Sequence, residues 1–134
     1  MSGRALCVAL LLVVGATGAR CAPGREPQRG TEPSESDQER IARLEREARA
    51  LAKADGCTSA DQCRAAPVGE RACGGPRTYL VYCARTTDSA GLYRKLDELR
   101  QAEIEYNKKT NAVSTCEFRI PPELVATGGS CKAR

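Results

Sequence analysis

The amino-acid sequence predicts a small α+β domain stapled by disulfides, with two amphipathic helices and a two- or three-stranded antiparallel sheet. The chain has 134 residues and 8 cysteines but no tryptophan, one phenylalanine and one methionine, so large apolar side chains for a core are few. Cysteine enrichment with a thin core is typical of disulfide-stabilised secreted domains. Two segments place apolar residues at helical spacing, and two others have the composition or alternation of half-buried strands.

The N-terminal residues have the pattern of a secretory signal peptide. Arg4 is followed by ten apolar residues, 5–14, and then by five small residues, 15–19. A run of this length is too short to cross a bilayer as a helix, and the small residues are typical of a cleavage site. We therefore predict a signal peptide over residues 1–19 and export to the periplasm, the outer envelope or the extracellular space, where disulfides form.

The cysteine count changes when the signal peptide is removed. Cys7 leaves with it, and Cys21 lies apart from the others, directly after the predicted cleavage region. Cys21 is placed where bacterial lipoproteins carry a diacylglycerol, although Gly18 and Arg20 stand where that motif has an aliphatic and a small residue. A lipid anchor and a free or intermolecularly paired thiol both stay open for Cys21. The remaining six cysteines are predicted to form disulfides, with the pairing left open: Cys57, Cys63, Cys73, Cys83, Cys116 and Cys131.

A disordered tether and an amphipathic helix are predicted before the cysteine-rich region. Residues 20–35 contain no aliphatic side chain larger than alanine, which is typical of disorder. A helix is expected over residues 36–55, because Ser36 and Glu39 form a capping-box pattern and Gly56 ends the segment. Its apolar stripe consists of Ile41, Leu44, Ala48 and Leu51. The stripe suits packing on the domain or a spacer role, and also suits binding a partner or forming a coiled coil.

Two strands are expected in the cysteine-rich region. Residues 77–83 follow a cysteine-rich loop and are rich in β-branched and aromatic side chains. Residues 114–120 alternate, so that Cys116, Phe118 and Ile120 share one face. Both segments are predicted to be half-buried strands.

A second helix lies between these strands and completes a cysteine-rich α+β domain over residues 57–134. Thr87 or Asp88 is placed to cap it, and Asn107 and Asn111 mark its exit. Its apolar stripe consists of Leu92, Leu96, Leu99, Ala102 and Tyr106.

Tyr79 and Tyr82 lie on opposite faces of the first strand, so one of the two rings is expected to be partly exposed. An exposed tyrosine joins an apolar ring to a hydroxyl group and suits a contact with a partner. Packing of the tyrosine under the neighbouring helix is the alternative.

The composition disfavours several function classes. The chain has no histidine, which removes histidine-based catalysis and activation of a thiol, and no C-x-x-C pair that would indicate zinc. The formal net charge of +4 becomes +3 when Arg4 is removed, and the charges alternate in sign along both helices. No basic stripe and no glycine-rich phosphate loop is present. We predict no enzyme activity, no cofactor, no metal and no nucleic-acid partner.

One segment resembles a motif of small exported bacterial proteins, often lipoprotein-like, that carry C-G-G-P-x-x-Y-L-x-Y. In this chain the motif is formed by Cys73, Gly74, Gly75, Pro76, Tyr79, Leu80 and Tyr82. The resemblance covers residues 57–131 and departs at Cys83, where the usual pattern has a small residue. It implies an envelope location and no particular activity. The excess of 16 arginines over 5 lysines, which GC-rich codons favour, agrees with a bacterial source.

A second similarity is to Kazal-type protease inhibitors. It rests on the cysteine-rich pattern formed by Cys73, Gly74, Thr78, Tyr79 and Cys83. The similarity implies that residues 64–67 form a protease-facing loop, which makes Arg64 a possible contact residue. It departs at Val81, where the family has asparagine, and in the spacing of the cysteines.

Together these observations predict a non-enzymatic exported envelope protein that is a binding or structural module of unknown ligand. The expected partner is an unknown protein or another envelope component, with membrane anchoring if Cys21 carries a lipid. The alternative function is that of a Kazal-like serine protease inhibitor.

Overall fold

The computed structural model describes residues 34–134. The predicted signal peptide, Cys7, Cys21 and the tether up to residue 33 lie outside the described residues. The described chain is α+β, as predicted, with two α-helices and two antiparallel two-stranded sheets. In chain order the elements are α1 (Asp37–Leu51), a 3₁₀ turn (Ala60–Gln62), β1 (Cys63–Val68), β2 (Thr78–Cys83), α2 (Ser89–Thr110), β3 (Leu124–Thr127) and β4 (Ser130–Ala133).

Helix α1 has the predicted capping box and packs on the domain. The Glu39 N–H donates to the Ser36 hydroxyl at 3.3 Å, and the Glu39 carboxylate accepts from the Ser36 N–H at 2.9 Å. These two bonds satisfy amide groups that the first turn of a helix leaves without partners. Leu44 and Ala48 are buried in the same core as the apolar stripe of α2. Of the roles left open for this helix, packing on the domain is therefore confirmed.

The helix ends at Leu51, four residues before its predicted end. The backbone beyond it is used for tertiary hydrogen bonds instead. The Cys83 N–H donates to the Lys53 carbonyl at 2.7 Å, and the Cys131 N–H donates to the Ala54 carbonyl at 2.9 Å. Because these carbonyls accept from strands, the residues after Leu51 cannot remain helical.

Strands β1 and β2 form a hairpin whose two faces each contribute buried side chains to a core. The strands pair antiparallel with Cys63 opposite Cys83. Ala66, Val68 and Tyr82 lie on one face and join the helices in the main apolar core. Cys63 and Cys83 lie on the other face, where the disulfides form a second core. The hairpin is the layer between the two cores.

Strand β1 lies where the sequence predicts a cysteine-rich loop, so that expectation is wrong. Residues 64–67, the protease-facing loop implied by the Kazal similarity, pair with β2 along their length. Ala66 is fully buried in the main apolar core. The exposed loop that the similarity implies is therefore not found at residues 64–67. Short alternation of small side chains gave too weak an apolar signal to predict this strand.

The strand predicted over residues 114–120 is also wrong. The segment contains no turn or bend, and it pairs with no strand in the described chain. The C-terminal hairpin forms instead between β3 and β4, across Gly128 and Gly129, which have φ values of 61° and 77°. Two consecutive residues in this left-handed region give a turn whose twist matches that of the strands. Alternation predicts an extended backbone, but it does not supply a partner strand.

Helix α2 follows its prediction closely. The Asp88 carboxylate caps it by accepting from the Gly91 N–H at 3.0 Å, and Asn111 ends it in the left-handed conformation with φ 49°. Tyr106 is half-buried, and its hydroxyl accepts from the Gln38 amide of α1 at 2.8 Å. The remaining residues of the predicted stripe are buried: Leu92, Leu96, Leu99 and Ala102. Among the described residues, no helix is both long and apolar enough to cross a membrane.

Three disulfides join the six cysteines of the domain, in the pairs Cys57–Cys83, Cys63–Cys131 and Cys73–Cys116. The first two are buried together and form the second core with Val81, Leu124 and Ala126. The third lies at the surface, where both of its cysteines are exposed. Two bridges therefore belong to the interior of the fold and one to its surface.

We expect the surface disulfide to be reduced first, with the fold retained, because thiol attack requires access to sulfur. Mild dithiothreitol followed by alkylation should label Cys73 and Cys116 before the other four cysteines, without loss of far-ultraviolet circular dichroism. Reduction of the two buried bridges should then unfold the domain. They close loops with sequence separations of 26 and 68, and the entropy that each removes from the unfolded chain stabilises the fold by about 3.5 to 4.5 kcal/mol.

Peptide mapping by mass spectrometry identifies the labelled cysteines. The double variant C73S/C116S is the control and should show no early-reduced bridge. Labelling of all six cysteines at one rate, or a native spectrum after complete reduction, would contradict the assignment.

Candidate functional site

Three of the large apolar side chains that the described chain exposes lie in one segment after α2. Val113 is 95 % exposed, Phe118 is 90 % exposed and Ile120 is 72 % exposed. We call residues 113–120 the presented segment. Exposed apolar side chains that lie together are unusual on a soluble domain and mark surfaces for binding. The segment is therefore the candidate functional site.

The first half of the presented segment is held to the domain by a covalent bond. Cys116 is joined to Cys73, which lies in the loop between β1 and β2. The Cys73 N–H also donates to the Ser114 hydroxyl at 3.1 Å. The segment thus has a fixed point two residues before Phe118.

Arg71, in the loop between β1 and β2, holds the backbone of the presented segment. Its guanidinium donates to the Thr115 carbonyl at 3.2 Å and to the Glu117 carbonyl. It forms no ion pair within the part of the chain that the structure describes, and its Nε atom is buried there without a partner. A guanidinium carries donors in a fixed planar fork, so one side chain can hold two carbonyl groups in line. The hydrogen bonds of the Arg71 guanidinium therefore position the presented segment.

A tight turn places Arg71 and Cys73 beside the segment. Gly74 and Gly75 have φ values of 91° and 77°, a region that residues with a side chain rarely adopt. The Gly74 N–H donates to the Arg71 carbonyl at 2.9 Å, and the Arg71 N–H donates to the Gly75 carbonyl at 2.9 Å. The Gly75 N–H donates to the Glu70 carboxylate at 3.0 Å. The two glycines of the C-G-G-P motif thus shape the turn that holds the segment.

The backbone of the presented segment has one occupied edge and one free edge. The Tyr79 hydroxyl donates to the Arg119 carbonyl at 3.2 Å, so the carbonyls of Thr115, Glu117 and Arg119 all accept from the domain. In extended backbone, alternate residues direct their N–H and C=O groups to opposite edges. The polar groups of residues 116, 118 and 120 therefore lie on the opposite edge, and no backbone hydrogen bond to them is found within residues 34–134.

The predicted contact residues lie in three different environments. Tyr79 is half-buried and supports the segment through its hydroxyl. Tyr82 is 3 % exposed in the main core, so its proposed role as a contact residue is wrong. Arg64 is exposed, and its guanidinium donates to the carbonyls of Asp61 and Cys63 at 2.6 and 2.7 Å. The structure does not bring these three residues into one site.

The inward face expected for Cys116, Phe118 and Ile120 is exposed instead. Apolar alternation usually marks burial, so the sequence predicts a buried strand face for these side chains. Nothing in the sequence distinguishes Arg71, since it is one arginine among 16. The Pro121-Pro122 pair was the available sign that the segment would not join a sheet, because proline lacks the N–H that a ladder needs.

A second cluster of charged side chains joins the two helices beside a cavity of about 370 Å³. The Arg77 guanidinium lies 2.8 Å from the Glu45 carboxylate of α1 and 2.7 Å from the Glu103 carboxylate of α2. Glu103 is only 5 % exposed and also accepts from the Glu70 N–H. Each charge in this cluster has a partner of opposite sign. The cluster is therefore a clamp between helices and the β1–β2 loop.

The clamp shifts the pKa of two of its members. Burial alone raises the pKa of Glu45, but hydrogen bonds from Arg77 and Arg49 outweigh it, so the pKa lies below its ordinary value of 4.5. Burial lowers the pKa of Arg77, but the hydrogen bonds that its guanidinium donates to Glu103 and Glu45 raise the pKa by more. Both shifts favour the charged forms, as expected for a formed ion pair.

The sulfur atoms of Cys57, Cys83 and Cys131 lie within 4.8 Å of one another. Such a cluster has the spacing of metal ligands, but each of these sulfur atoms belongs to a disulfide. Metal binding by cysteine needs the thiolate form. The cluster therefore acts as apolar core in the oxidised protein.

No protein-family model, curated protein or solved structure matches this chain. The two resemblances described above therefore remain sequence-based expectations.

Acid should weaken the link between Glu45 and Arg77. Because the pKa of Glu45 is lower in the folded than in the unfolded chain, this group stabilises the fold fully above about pH 4.5. Its contribution is lost as the pH falls through the lowered pKa. Thermal melts over this range should show the midpoint falling with acid, and falling less steeply in Glu45→Gln.

Asp61→Asn is the matched control for this measurement, since Asp61 is an exposed carboxylate that has no ion pair among the residues described. Its pH profile should follow that of the wild type. A Glu45→Gln profile that is parallel to the wild-type profile at all acidic pH values would show that the Glu45–Arg77 link contributes nothing to stability.

Proposed function

We propose that the protein is a non-enzymatic, exported binding module of the bacterial envelope that offers the presented segment to a protein partner. The observation that carries the proposal is the combination of exposure and restraint at Phe118 and Ile120. Their side chains are 90 % and 72 % exposed on a backbone fixed by a disulfide. Burial of apolar surface lowers the free energy by about 25 cal/mol for each Å² removed from water, so an exposed apolar side chain lacks this stabilisation. A partner that covers Phe118 and Ile120 recovers that free energy.

Restraint of the backbone supports binding over accidental exposure. Arg71, Tyr79 and the Cys73–Cys116 bridge each hold the segment at a different point. A loop already fixed in its bound conformation loses little entropy when it binds, which strengthens association. The domain thus resembles a rigid support that carries one recognition loop.

The cysteines and the N-terminal sequence support the proposed location. Three disulfides in one small domain are typical of oxidising compartments outside the cytosol. The signal-peptide pattern of residues 1–19 agrees with export, and Cys21 offers a site for a lipid anchor. The partner is therefore proposed to be a protein of the envelope or its surroundings.

We expect a photo-crosslinking phenylalanine analogue at position 118 to capture a partner in the source organism. The same analogue at position 85, an exposed site in the β2–α2 turn, is the matched control and should capture nothing in common with it. Untagged wild-type domain should compete for the crosslink, whereas the domain carrying both Phe118→Ser and Ile120→Ser should not, because it lacks the apolar contacts. Equal competition by the two domains would show that the presented segment is not the binding site.

Intact mass spectrometry of natively expressed protein tests the export part of the proposal. We expect a mature chain that begins after Ala19, or at Cys21 with an added diacylglycerol, and a mass lowered by two hydrogens for each of three disulfides. Treatment with reductant should restore those hydrogens. A full-length chain that retains Met1 with free thiols would overturn export.

A further inference from the structure

We infer that the presented segment binds, in the manner of a substrate, to the active-site cleft of a serine endopeptidase that prefers large aromatic residues, and that it inhibits this protease reversibly. This inference rests on the proposed function and names the partner of the same segment. Phe118 would occupy the main specificity pocket. The segment lies elsewhere in the fold than residues 64–67, which form strand β1.

The free edge of the segment matches what a protease cleft recognises. Substrate clefts bind an extended chain through its backbone N–H and C=O groups and read single side chains in pockets, as in other modes of strand addition. Residues 116, 118 and 120 have their backbone groups on the free edge, because residues 115, 117 and 119 turn theirs towards Arg71 and Tyr79. Phe118, at the centre of that edge, is 90 % exposed.

The carbonyl groups decide which residue precedes the reactive bond. A serine protease must receive the carbonyl oxygen of that residue in its oxyanion hole. The Arg119 carbonyl already accepts from the Tyr79 hydroxyl at 3.2 Å, whereas the Phe118 carbonyl lies on the free edge. Arg119 is also paired with Glu117, at 3.4 Å between Nη2 and Oε2. The reactive bond is therefore the one between Phe118 and Arg119.

Both sides of this bond are held to the domain independently. On the N-terminal side lie the Cys116–Cys73 bridge and the bond from Arg71 to the Glu117 carbonyl. On the C-terminal side lie the bond from Tyr79 to the Arg119 carbonyl and, beyond it, Pro121 and Pro122, whose φ angles are fixed by their rings. Cleavage would therefore leave the two new ends close together, since neither is free to diffuse away.

Retained ends make cleavage reversible. The protease serine oxygen bonds to the Phe118 carbonyl carbon, the bond to the Arg119 nitrogen breaks, and the serine proton ends on that nitrogen as a free amine. In the reverse direction the amine attacks the ester carbon, the peptide bond forms again, and the serine recovers its proton. Because the amine stays beside the ester, religation competes with attack by water.

This double restraint favours a protease over a partner that offers only an open sheet edge. A sheet edge needs an extended strand with free backbone groups, but it gains nothing from holding both sides of one peptide bond. The backbone is held on both sides of Phe118, by the Cys73–Cys116 disulfide before it and by the Tyr79 hydroxyl after it. Val113 lies before the disulfide and is not held in this way. A partner with an open sheet edge would bind the segment at position 118 without any inhibition of a protease.

The experiment measures inhibition constants of the oxidised domain against chymotrypsin-like, trypsin-like and elastase-like serine endopeptidases. We expect tightest inhibition of the chymotrypsin-like enzyme. Phe118→Ala should weaken it on the order of 100-fold, as for a central anchor residue. Phe118→Lys should transfer the inhibition to the trypsin-like enzyme. Tyr93→Ala, which removes an exposed aromatic side chain of α2 outside the presented segment, is the matched control and should inhibit like the wild type.

Arg71→Ala tests the role of Arg71 as a positioning residue. With Phe118 intact, the variant should bind the chymotrypsin-like enzyme more weakly and be cleaved faster after Phe118, because the N-terminal side of the bond is no longer held. The ratio of hydrolysis to inhibition, measured by mass spectrometry of the cleaved chain, separates this role from a general loss of stability. Tyr79→Phe should raise the same ratio from the C-terminal side.

Absence of inhibition by the wild type, or rapid cleavage after Phe118 without inhibition, overturns the inference. Inhibition that Phe118→Lys does not redirect overturns the assignment of the pocket residue. If inhibition is absent while the crosslink at position 118 is still competed by the wild-type domain, the proposed binding function stands and only the protease partner is wrong. If both are absent, the binding function fails as well.

Discussion

The two buried disulfides are the constraint on which the rest of the structure depends. Cys57–Cys83 and Cys63–Cys131 bring the chain after α1, the β1–β2 hairpin and the β3–β4 hairpin to one point. With a single phenylalanine, and that one exposed, the domain has few side chains that could hold these segments by apolar packing alone. Disulfides act mainly by restraining the unfolded chain, so they supply stability that does not depend on core volume. The β1–β2 hairpin contributes buried side chains to both cores.

Different disulfides stabilise the fold and hold the presented segment in place. The buried pair fixes the fold, whereas the Cys73–Cys116 bridge lies outside both cores and fixes only the presented segment. The turn at Gly74 and Gly75 connects the two tasks, because it extends from the β1–β2 hairpin and carries both Arg71 and Cys73. A change in the identity of the side chains at 118 and 120 would leave every contact of the buried cores in place. The scaffold is therefore suited to carrying a segment whose specificity is set locally.

A free backbone edge with apolar side chains is a risk for aggregation as well as a means of recognition. The segment limits that risk in ways visible in the structure. Glu117 and Arg119 place opposite charges on either side of Phe118 and pair with each other at 3.4 Å. Pro121 and Pro122 follow directly, and prolines next to a strand oppose edge-to-edge pairing. These features allow the segment to stay exposed until a partner with a fitting cleft covers it.

The sequence by itself determined the α+β class, both helices and strand β2. Each of these is encoded within a few neighbouring residues, as the capping box of Ser36 and Glu39 and the stripe from Leu92 to Ala102 show. Only the tertiary structure decided the disulfide pairing, strand β1 and the fate of residues 114–120. Alternation predicts an extended backbone for that last segment, but whether an extended segment becomes a strand depends on a free partner edge, which lies far away in the sequence. The same holds for the candidate site: Phe118 and Ile120 were recognisable as apolar, yet their exposure follows from Arg71, Tyr79 and Cys73, which occupy one edge of the segment and offer no sheet to cover its side chains.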